Sequence, residues 1–295
     1  MTAPLIIVPP VAITDAMLTA CDVAEDTNPA WSGATTYGFE DRAYVGHTVY
    51  QSLAAGNLNH AVTDEVWWVE VGPTNRWACL DGSNSTQTAN STEMAYEFEP
   101  GQAVTSFALL NIDGCNTARL LVTQPSYGTL KDETYDLASI PDAPGWWEWL
   151  FGERTAPREL IVQDIPPIPG CTISIELDGT TALAVGVMQL GVAKEIGEGV
   201  LQGMRVGIKD YSRKETNEFG ETVLVRRTYA DTASFQVPIR NEHVENARTY
   251  LTGLRATPAL WITARGVIYG FFQEFEITFA YSQVSECSLS IQGLS

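Results

Sequence analysis

The segment EFEITFAYSQVSECSLSIQGL, residues 274–294, decides the fold class of this chain. Apolar residues occupy every second position in both of its halves, and polar or small residues fill most positions between them. The apolar positions are Phe275, Ile277, Phe279, Tyr281, Cys287, Leu289 and Ile291. Because successive side chains on a strand point to opposite faces, this period of two predicts two half-buried β-strands.

The same alternation occurs upstream in QGMRVGIKDYS (residues 202–212) and TASFQVPI (residues 232–239). Its apolar positions are Met204, Val206, Ile208, Phe235, Val237 and Ile239. Between these strands and the last two, the segment 241–256 has apolar residues at helical spacing, and Asn241 is expected to cap its start. The apolar stripe of this helix is Val244, Ala247, Leu251 and Leu254. Residues 199–295 are therefore predicted to form an antiparallel β-sandwich with one packed helix.

Residues 77–198 are predicted to form another β-sandwich, of the jelly-roll type. Strand-sized apolar runs in this region end at Gly, Pro, Asp or Asn, as in SFALLNIDG, ARLLVTQPSYG, CTISIELDGTT and LAVGVMQLG. Several such runs at short spacing are typical of sandwiches. An insertion at residues 141–158 interrupts the pattern and is expected to cover a sheet edge or fill an interface. Its aromatic cluster is Trp146, Trp147, Trp149 and Phe151.

Two smaller parts come first in the chain. Residues 1–28 are predicted to be an extended leader arm, because two adjacent prolines favour extended backbone, with a short helix starting at Thr14. Residues 29–76 are predicted to be a small aromatic module, in which RAYVGHTVYQSL alternates around Gly46 as a β-hairpin does. The chain as a whole is predicted to be mainly β, built of several β-sandwiches or small β modules.

Composition excludes several classes of function. The net charge is −19, which argues against nucleic-acid binding, because that binding depends on clustered Lys and Arg, and against docking on anionic lipid. No stretch approaches about 18 uninterrupted apolar residues, so no membrane span is expected, and the N-terminus lacks the basic region of a secretory signal. The 5 cysteines are far apart and form no CxxC pair, so we expect isolated thiols rather than disulfides.

No catalytic motif is present. The 3 histidines form no HExxH or HxH pattern, and there is no GxSxG, Walker or GxGxxG sequence after a strand. Asp41 and His47 are the nearest approach to a catalytic pair, and we interpret both as structural because the module that contains them is too small for a deep pocket. The sequence therefore predicts no enzyme activity, no catalytic residue, no metal site and no cofactor.

The tryptophans of the aromatic module admit two interpretations, core or sugar-binding surface. Trp67 and Trp68 are adjacent, so on a strand one is expected to be buried and the other exposed. The segment PAWSGATTYGFEDRAYVGHTVYQSL, closed by WWVEVG, resembles the small carbohydrate-binding modules of chitinases and cellulases, although Phe39 replaces their usual turn glycine. The resemblance implies that flat aromatic faces stack on sugar rings, with the alternative that the module is a structural spacer. The candidate carbohydrate-binding residues are Trp31, Tyr37, Tyr50, Trp67 and Trp68.

A second resemblance covers nearly the whole chain. The junction GPTNRW-x-x-x-DG, the segment GIKDYSRKETNEFGETVLVRR and the segment LRATPALWI resemble tail-tip proteins of long-tailed bacteriophages, and the last domain is similar to the ring-forming domain of distal tail and tail-tube proteins. The polar, Gly-containing hairpin in the second of these segments suits strand addition to a neighbouring subunit. Its candidate interface residues are Asp210, Tyr211, Arg213, Lys214, Glu215, Phe219 and Gly220. Trp77, within the junction, is expected to be core.

The resemblance implies a structural component of a virion tail tip or baseplate, assembled in the host cytoplasm. It implies a homo-oligomeric ring of three- or six-fold symmetry, contacts with other tail-tube, hub and baseplate proteins, and no specific nucleic-acid binding. Glu274 and Glu276 are candidates for an acidic wall that does not retain passing DNA. The main alternative is an adhesin that binds glycan on the host surface. A glycan depolymerase is a third possibility that no residue pattern specifies.

Overall fold

A computed structural model describes residues 4–138, 156–216, 222–279 and 281–294 of the 295-residue chain. The fold is mainly β, with 54% strand and 6% helix, as the alternating patterns predict. The strands in chain order are β1 (Leu5–Val8), β2 (Leu18–Cys21), β3 (Thr36–Tyr37), β4 (Arg42–Val45), β5 (Thr48–Ser52), β6 (Asn57–Leu58), β7 (Trp68–Pro73), β8 (Thr88–Asn90), β9 (Glu93–Phe98), β10 (Ser106–Gln124), β11 (Gly128–Asp136), β12 (Glu159–Val162), β13 (Thr172–Gly191), β14 (Lys194–Ile196), β15 (Arg205–Asp210), β16 (Arg213–Thr216), β17 (Thr222–Val225), β18 (Tyr229–Arg240), β19 (Ala259–Thr263), β20 (Gly266–Thr278) and β21 (Val284–Gly293). The α-helix of the described residues is α1 (Val244–Gly253), and short 3₁₀ turns occupy Ala78–Leu80 and Asn241–His243.

Two compact units divide the chain, one formed by residues 1–11 with 190–295 and the other by residues 12–189. We call them the C-terminal unit and the central unit. The expected leader arm, residues 1–28, is not a separate segment in this structure. Strand β1 lies between β14 and β19 in the sheet of the C-terminal unit, whereas β2 pairs with β9 in the central unit. Where a helix was expected after Thr14, the chain makes a turn and enters β2.

The C-terminal unit is built on one seven-stranded antiparallel sheet in the order β14-β1-β19-β20-β21-β18-β15. The apolar positions expected from the alternation on β18 and β21 are buried, with Val237 and Cys287 at 0% exposure. Helix α1 packs its expected apolar stripe into the same core, next to Trp261. Asn241 does not cap this helix. Its side-chain amide donates to the carbonyls of Tyr281 and Ser282, so it ties the helix entrance to the loop before β21.

Four apolar residues that the alternating pattern predicted to be half-buried are instead exposed. Val206 and Ile208 on β15 are 66% and 64% exposed, because β15 is the last strand of the sheet and has only one neighbouring strand among the described residues. Phe279 and Tyr281 are 69% and 66% exposed, because β20 ends at Thr278 and neither residue lies on the strand.

The central unit contains two long bent strands where the sequence suggested four shorter ones. Strand β10 has 19 residues and β13 has 20, and the turn signals Asp113-Gly114 and Asp178-Gly179 lie within them. A Cβ on Gly179 would overlap the carbonyl oxygen of Gly114, and a Cβ on Gly114 would overlap that of Ala182. Glycine is therefore required where these strands bend and approach closely.

Each long strand changes partners at its bend. Residues 107–110 of β10 pair with β12, and residues 117–124 pair with β11. Likewise β13 pairs with β9 through residues 173–178 and with β8 through residues 183–185. The expected aromatic cluster at residues 146–151 lies outside the described residues.

Candidate functional site

The aromatic module within the central unit is built around Trp68, which is 2% exposed. Its hairpin, β4–β5, turns at Gly46, which has a positive φ of 58°, and β7 pairs with β5 to complete a three-stranded sheet. Tyr37 meets Trp68 edge to face, with ring centroids 5.0 Å apart, and the indole nitrogen of Trp68 donates to the carbonyl of His60 at 3.0 Å. The hairpin predicted around Gly46 is therefore present, and its tryptophan forms the core of the module.

Three further aromatic side chains surround this core and remain partly exposed: Trp31, Tyr50 and Trp67. Trp67 stacks on His60, with ring centroids 4.0 Å apart and an interplanar angle of 10°. The backbone N–H groups of both Trp67 and Trp68 donate to the carbonyl of Asp64, which fixes the turn that brings His60 under Trp67. The module therefore holds three partly exposed aromatic rings against a buried core.

The five candidate sugar-binding residues fall into two groups. Trp68 and Tyr37 are buried, and the Tyr37 hydroxyl accepts from the backbone N–H of Ser32, so neither ring face is available to a ligand. Trp31, Tyr50 and Trp67 are the members of the set that reach the surface. Trp68 is buried and Trp67 is half-buried, but the two are not neighbours on a strand as expected, because β7 begins at Trp68 and Trp67 belongs to the preceding turn.

Sequence reasoning missed His60 and Glu70. Glu70 is exposed on β7 and lies directly opposite Tyr50 in the register with β5, so its carboxylate is a hydrogen-bond acceptor beside an aromatic ring. The pairing of β5 with β7 contains a bulge between Val49 and Tyr50. Because the bulge shifts the register by one residue, the sequence alone does not reveal that Glu70 lies opposite Tyr50. No sequence pattern indicated His60, because the turn before β7, and not the alternation of a strand, brings it under Trp67.

His47 anchors the module to the segments that precede and follow it. Its Nδ1 lies 3.0 Å from Glu25 and its Nε2 lies 2.6 Å from Asp15, while its ring packs on Trp77 at 4.0 Å between centroids. Partial burial lowers the pKa of His47, but the two carboxylates outweigh it and raise the pKa above its usual value. Asp41 instead accepts from the N–H of Gly38, so Asp41 and His47 are not a pair. Trp77, expected to be core, is half-buried.

The second candidate site is the hairpin β16–β17, which forms a two-stranded sheet of its own. Its approach contains Asp210, the last residue of β15, and Tyr211, whose hydroxyl accepts from the amide of Gln292 at 2.8 Å. Within the hairpin Arg213 is hydrogen-bonded to Glu215, and Lys214 lies opposite Leu224 in the register. The candidate residues Phe219 and Gly220 lie outside the described residues.

Several apolar side chains of this region are exposed. Leu224, Val225 and Tyr229 are 68%, 47% and 52% exposed, in addition to Val206 and Ile208 on the neighbouring edge strand. The sequence did not reveal this feature, because the apolar run Val223-Leu224-Val225 has no alternation that would indicate which side chains are exposed.

Acidic, histidine and cysteine side chains are the groups that a metal site or a disulfide would need. No cluster of three or more His, Cys, Asp or Glu residues is arranged there to hold a metal ion. All five cysteines are free, and burial raises the pKa of Cys79, Cys115 and Cys287 to about 11, so these thiols stay protonated near neutral pH. Within the same residues, no helix has the length and apolarity needed to cross a membrane.

Comparison with protein-family models, with curated proteins and with solved structures found no match for this chain.

Proposed function

We propose that this chain is a structural component of a bacteriophage tail tip that assembles head to tail into a closed ring and carries the aromatic module on it. The observation that carries the assembly is the hairpin β16–β17, a separate two-stranded sheet with Leu224 68% exposed. A two-stranded hairpin is marginally stable in water by itself, so contacts with another surface are needed to hold it.

The edge strand β15 adds to this argument. Among the described residues it pairs with a strand on one side only, Val206 and Ile208 are exposed, and such an edge is a template for association with another chain. A protruding apolar element that docks elsewhere on an identical molecule makes a heterologous contact, and heterologous contacts close into rings when the rotation allows it. The tail-tip assignment is supported by the resemblance of residues 199–295 and of the GPTNRW junction.

The assembly is tested with the double variant Leu224→Ser/Val225→Ser, because both side chains are exposed and their loss should leave the fold intact. The expected result is that the wild-type chain forms an oligomer in sedimentation velocity and that the variant is monomeric. Leu58→Ser is the matched control, since Leu58 is a 49% exposed leucine on β6, outside the hairpin. A wild-type chain that stays monomeric up to high concentration contradicts the proposal.

A second function, glycan binding by the aromatic module, is favoured by the partly exposed Trp31, Tyr50 and Trp67 around a buried core. Flat rings of this kind match the apolar C–H face of a pyranose, and the Glu70 carboxylate beside Tyr50 can accept sugar hydroxyl protons. The two functions are compatible, because a ring subunit can carry a sugar-binding module.

Binding is tested by titrating soluble fragments of bacterial cell-wall polysaccharide and lipopolysaccharide into the chain. The expected result is sub-millimolar affinity (about 4 kcal/mol or more) that is lost in Trp67→Ala. Phe39→Ala is the control, because Phe39 is 61% exposed and is not part of the aromatic cluster. Binding that persists in Trp67→Ala, or no binding to any preparation, contradicts a role for the module in recognition.

A further inference from the structure

We propose that Asn59 is a specificity-determining residue of the glycan surface formed by Trp31, Tyr50 and Trp67, and that this surface binds glycans without acidic groups. The inference rests on the second proposed function, glycan binding by the aromatic module, and adds to it a hydrogen-bonding residue and a class of ligand. No pattern in the sequence indicated Asn59, which lies directly after the short strand β6.

The side chain of Asn59 lies beside the ring of Trp31. A Cβ built on Gly33 would lie 2.7 Å from the Oδ1 of Asn59 and 3.5 Å from the Cη2 of Trp31, so both groups border the same point. Asn59 is exposed, and its amide makes no hydrogen bond within the part of the chain that the structure describes. This amide can therefore donate to and accept from the hydroxyl groups of a sugar stacked on Trp31.

Hydrogen bonds to the core of the module fix the backbone on both sides of Asn59. The side-chain amide of Asn57, which is 1% exposed, donates to the carbonyl of Trp67 at 3.3 Å. The indole nitrogen of Trp68 donates to the carbonyl of His60 at 3.0 Å. Between them Asn59 has a φ of 59°, a left-handed conformation that Asn and Gly adopt more readily than most residues. A backbone fixed in this way reduces the entropy cost of using the amide in binding.

The same segment connects Trp31 to Trp67. His60 follows Asn59 in the chain and stacks on Trp67, with ring centroids 4.0 Å apart. Because His60 covers one face of the Trp67 ring, only the other face can stack on a ligand. We expect a glycan that contacts both indole rings to pass the Asn59 amide, so this amide reads the hydroxyl groups of the sugar that lies there.

Carboxylates border the glycan surface at two places. Glu70 is exposed and lies opposite Tyr50 in the register of β5 with β7. The carboxylate of Asp64 lies 3.9 Å from the Nδ1 of His60, which stacks on Trp67. Both carboxylates can accept hydrogen bonds from sugar hydroxyls, but both repel an acidic group on a ligand.

The two arginines of residues 29–76 do not offset these charges. Arg42 lies opposite Gln51 and donates to its side chain, and Gln51 faces the other side of the sheet from Tyr50, because the two are successive residues of β5. Arg76 is paired with Glu25. An acidic sugar would therefore meet carboxylates without a compensating arginine or lysine of the module, which discriminates against it.

The test uses soluble fragments of bacterial cell-wall polysaccharide and lipopolysaccharide, separated by anion exchange into a neutral and an acidic pool and titrated into the full-length chain. The wild type should bind the neutral pool about tenfold or more tightly than the acidic pool. Asn59→Gly should weaken binding of the neutral pool about fivefold or more, because it removes one hydrogen-bonding group while glycine keeps the positive φ. Gly33→Ala should also weaken it, because the new Cβ displaces the Oδ1 of Asn59.

The controls separate binding from folding and from charge. Phe39→Ala, at a 61% exposed position outside the aromatic cluster, should bind like the wild type. Hydrogen-exchange protection of β5 should be unchanged in Asn59→Gly, and a loss of affinity accompanied by a loss of this protection would show a structural role and overturn the inference. Glu70→Lys should strengthen binding of the acidic pool at low salt, and unchanged discrimination between the pools would contradict the role of charge.

The outcomes also separate this inference from the proposed function. If Trp67→Ala abolishes binding but Asn59→Gly and Gly33→Ala bind like Phe39→Ala, the module binds glycan and this inference is wrong. Binding of the acidic pool as tight as that of the neutral pool also overturns it. A wild type that binds neither pool overturns the proposed glycan binding and this inference together.

Discussion

Replacing Trp68 by alanine should unfold the aromatic module while the seven-stranded sheet of the C-terminal unit remains folded. The Trp68 side chain is 2% exposed, and burial of a tryptophan removes about 200 Å² from water, which corresponds to about 5 kcal/mol as an upper estimate. Loss of the hydrogen bond from its indole nitrogen to His60 costs about 1 kcal/mol more. The other fully buried members of this core are Tyr37 and Ala43, which leaves too little apolar contact to offset the loss.

Hydrogen exchange with mass spectrometry measures this effect region by region. In Trp68→Ala, peptides that cover β4, β5 and β7 should lose their protection, and peptides that cover β20 and β21 should keep theirs. Val66→Ala is the control, because Val66 is 75% exposed two residues away. Unchanged protection of β5 in Trp68→Ala would refute the assignment of Trp68 as the core of the module.

Three further predictions follow from particular contacts. The pKa of His47 is raised in the folded chain, so the contacts of protonated His47 with its two carboxylates stabilise the module fully below about pH 6.5. This stabilisation is lost as the pH rises through the raised pKa. Hydrogen-exchange protection of β4 and β5 should therefore fall over that pH range in the wild type and not in His47→Gln. Gly179→Ala should lower the free energy of unfolding, measured by urea titration, by about 2 kcal/mol or more. Gly253→Ala is the control and should be neutral or slightly stabilising, because a Cβ at Gly253 meets no atom. Equal effects of the two substitutions would contradict the close approach of β10 and β13. A thiol reagent should modify Cys21 first in the native chain and all five cysteines only after unfolding, so rapid labelling of Cys79 or Cys287 would contradict their burial.

Local patterns in the sequence predicted the parts of the fold that depend on local physics. The alternation at Cys287, Leu289 and Ile291 identified a half-buried strand, and the stripe from Val244 to Leu254 identified the helix, because each pattern reports which face is covered. Gly46 identified a two-residue hairpin turn, since its positive φ is a property of the turn itself.

Contacts between distant residues decided the features that the sequence did not reveal. Asp113-Gly114 and Asp178-Gly179 each have the composition of a hairpin turn, but β10 and β13 continue through them, because Gly179 lies against the backbone of Gly114 and Gly114 against that of Ala182. Strand β1 finds its partners about 190 and 255 residues away, which no local pattern encodes. The candidate site followed the same rule, because a turn places Trp67 before the start of β7 and over His60, and a bulge places Glu70 opposite Tyr50.

The most direct test of the account is the mass and shape of the purified full-length chain, measured by light scattering and by negative-stain imaging across a range of concentrations. The account predicts a closed ring of fixed copy number, about three to six, which dissociates to monomers when Leu224 and Val225 are replaced by serine. A chain that remains a monomer at every concentration, or a ring that is unaffected by the hairpin variant, would contradict it.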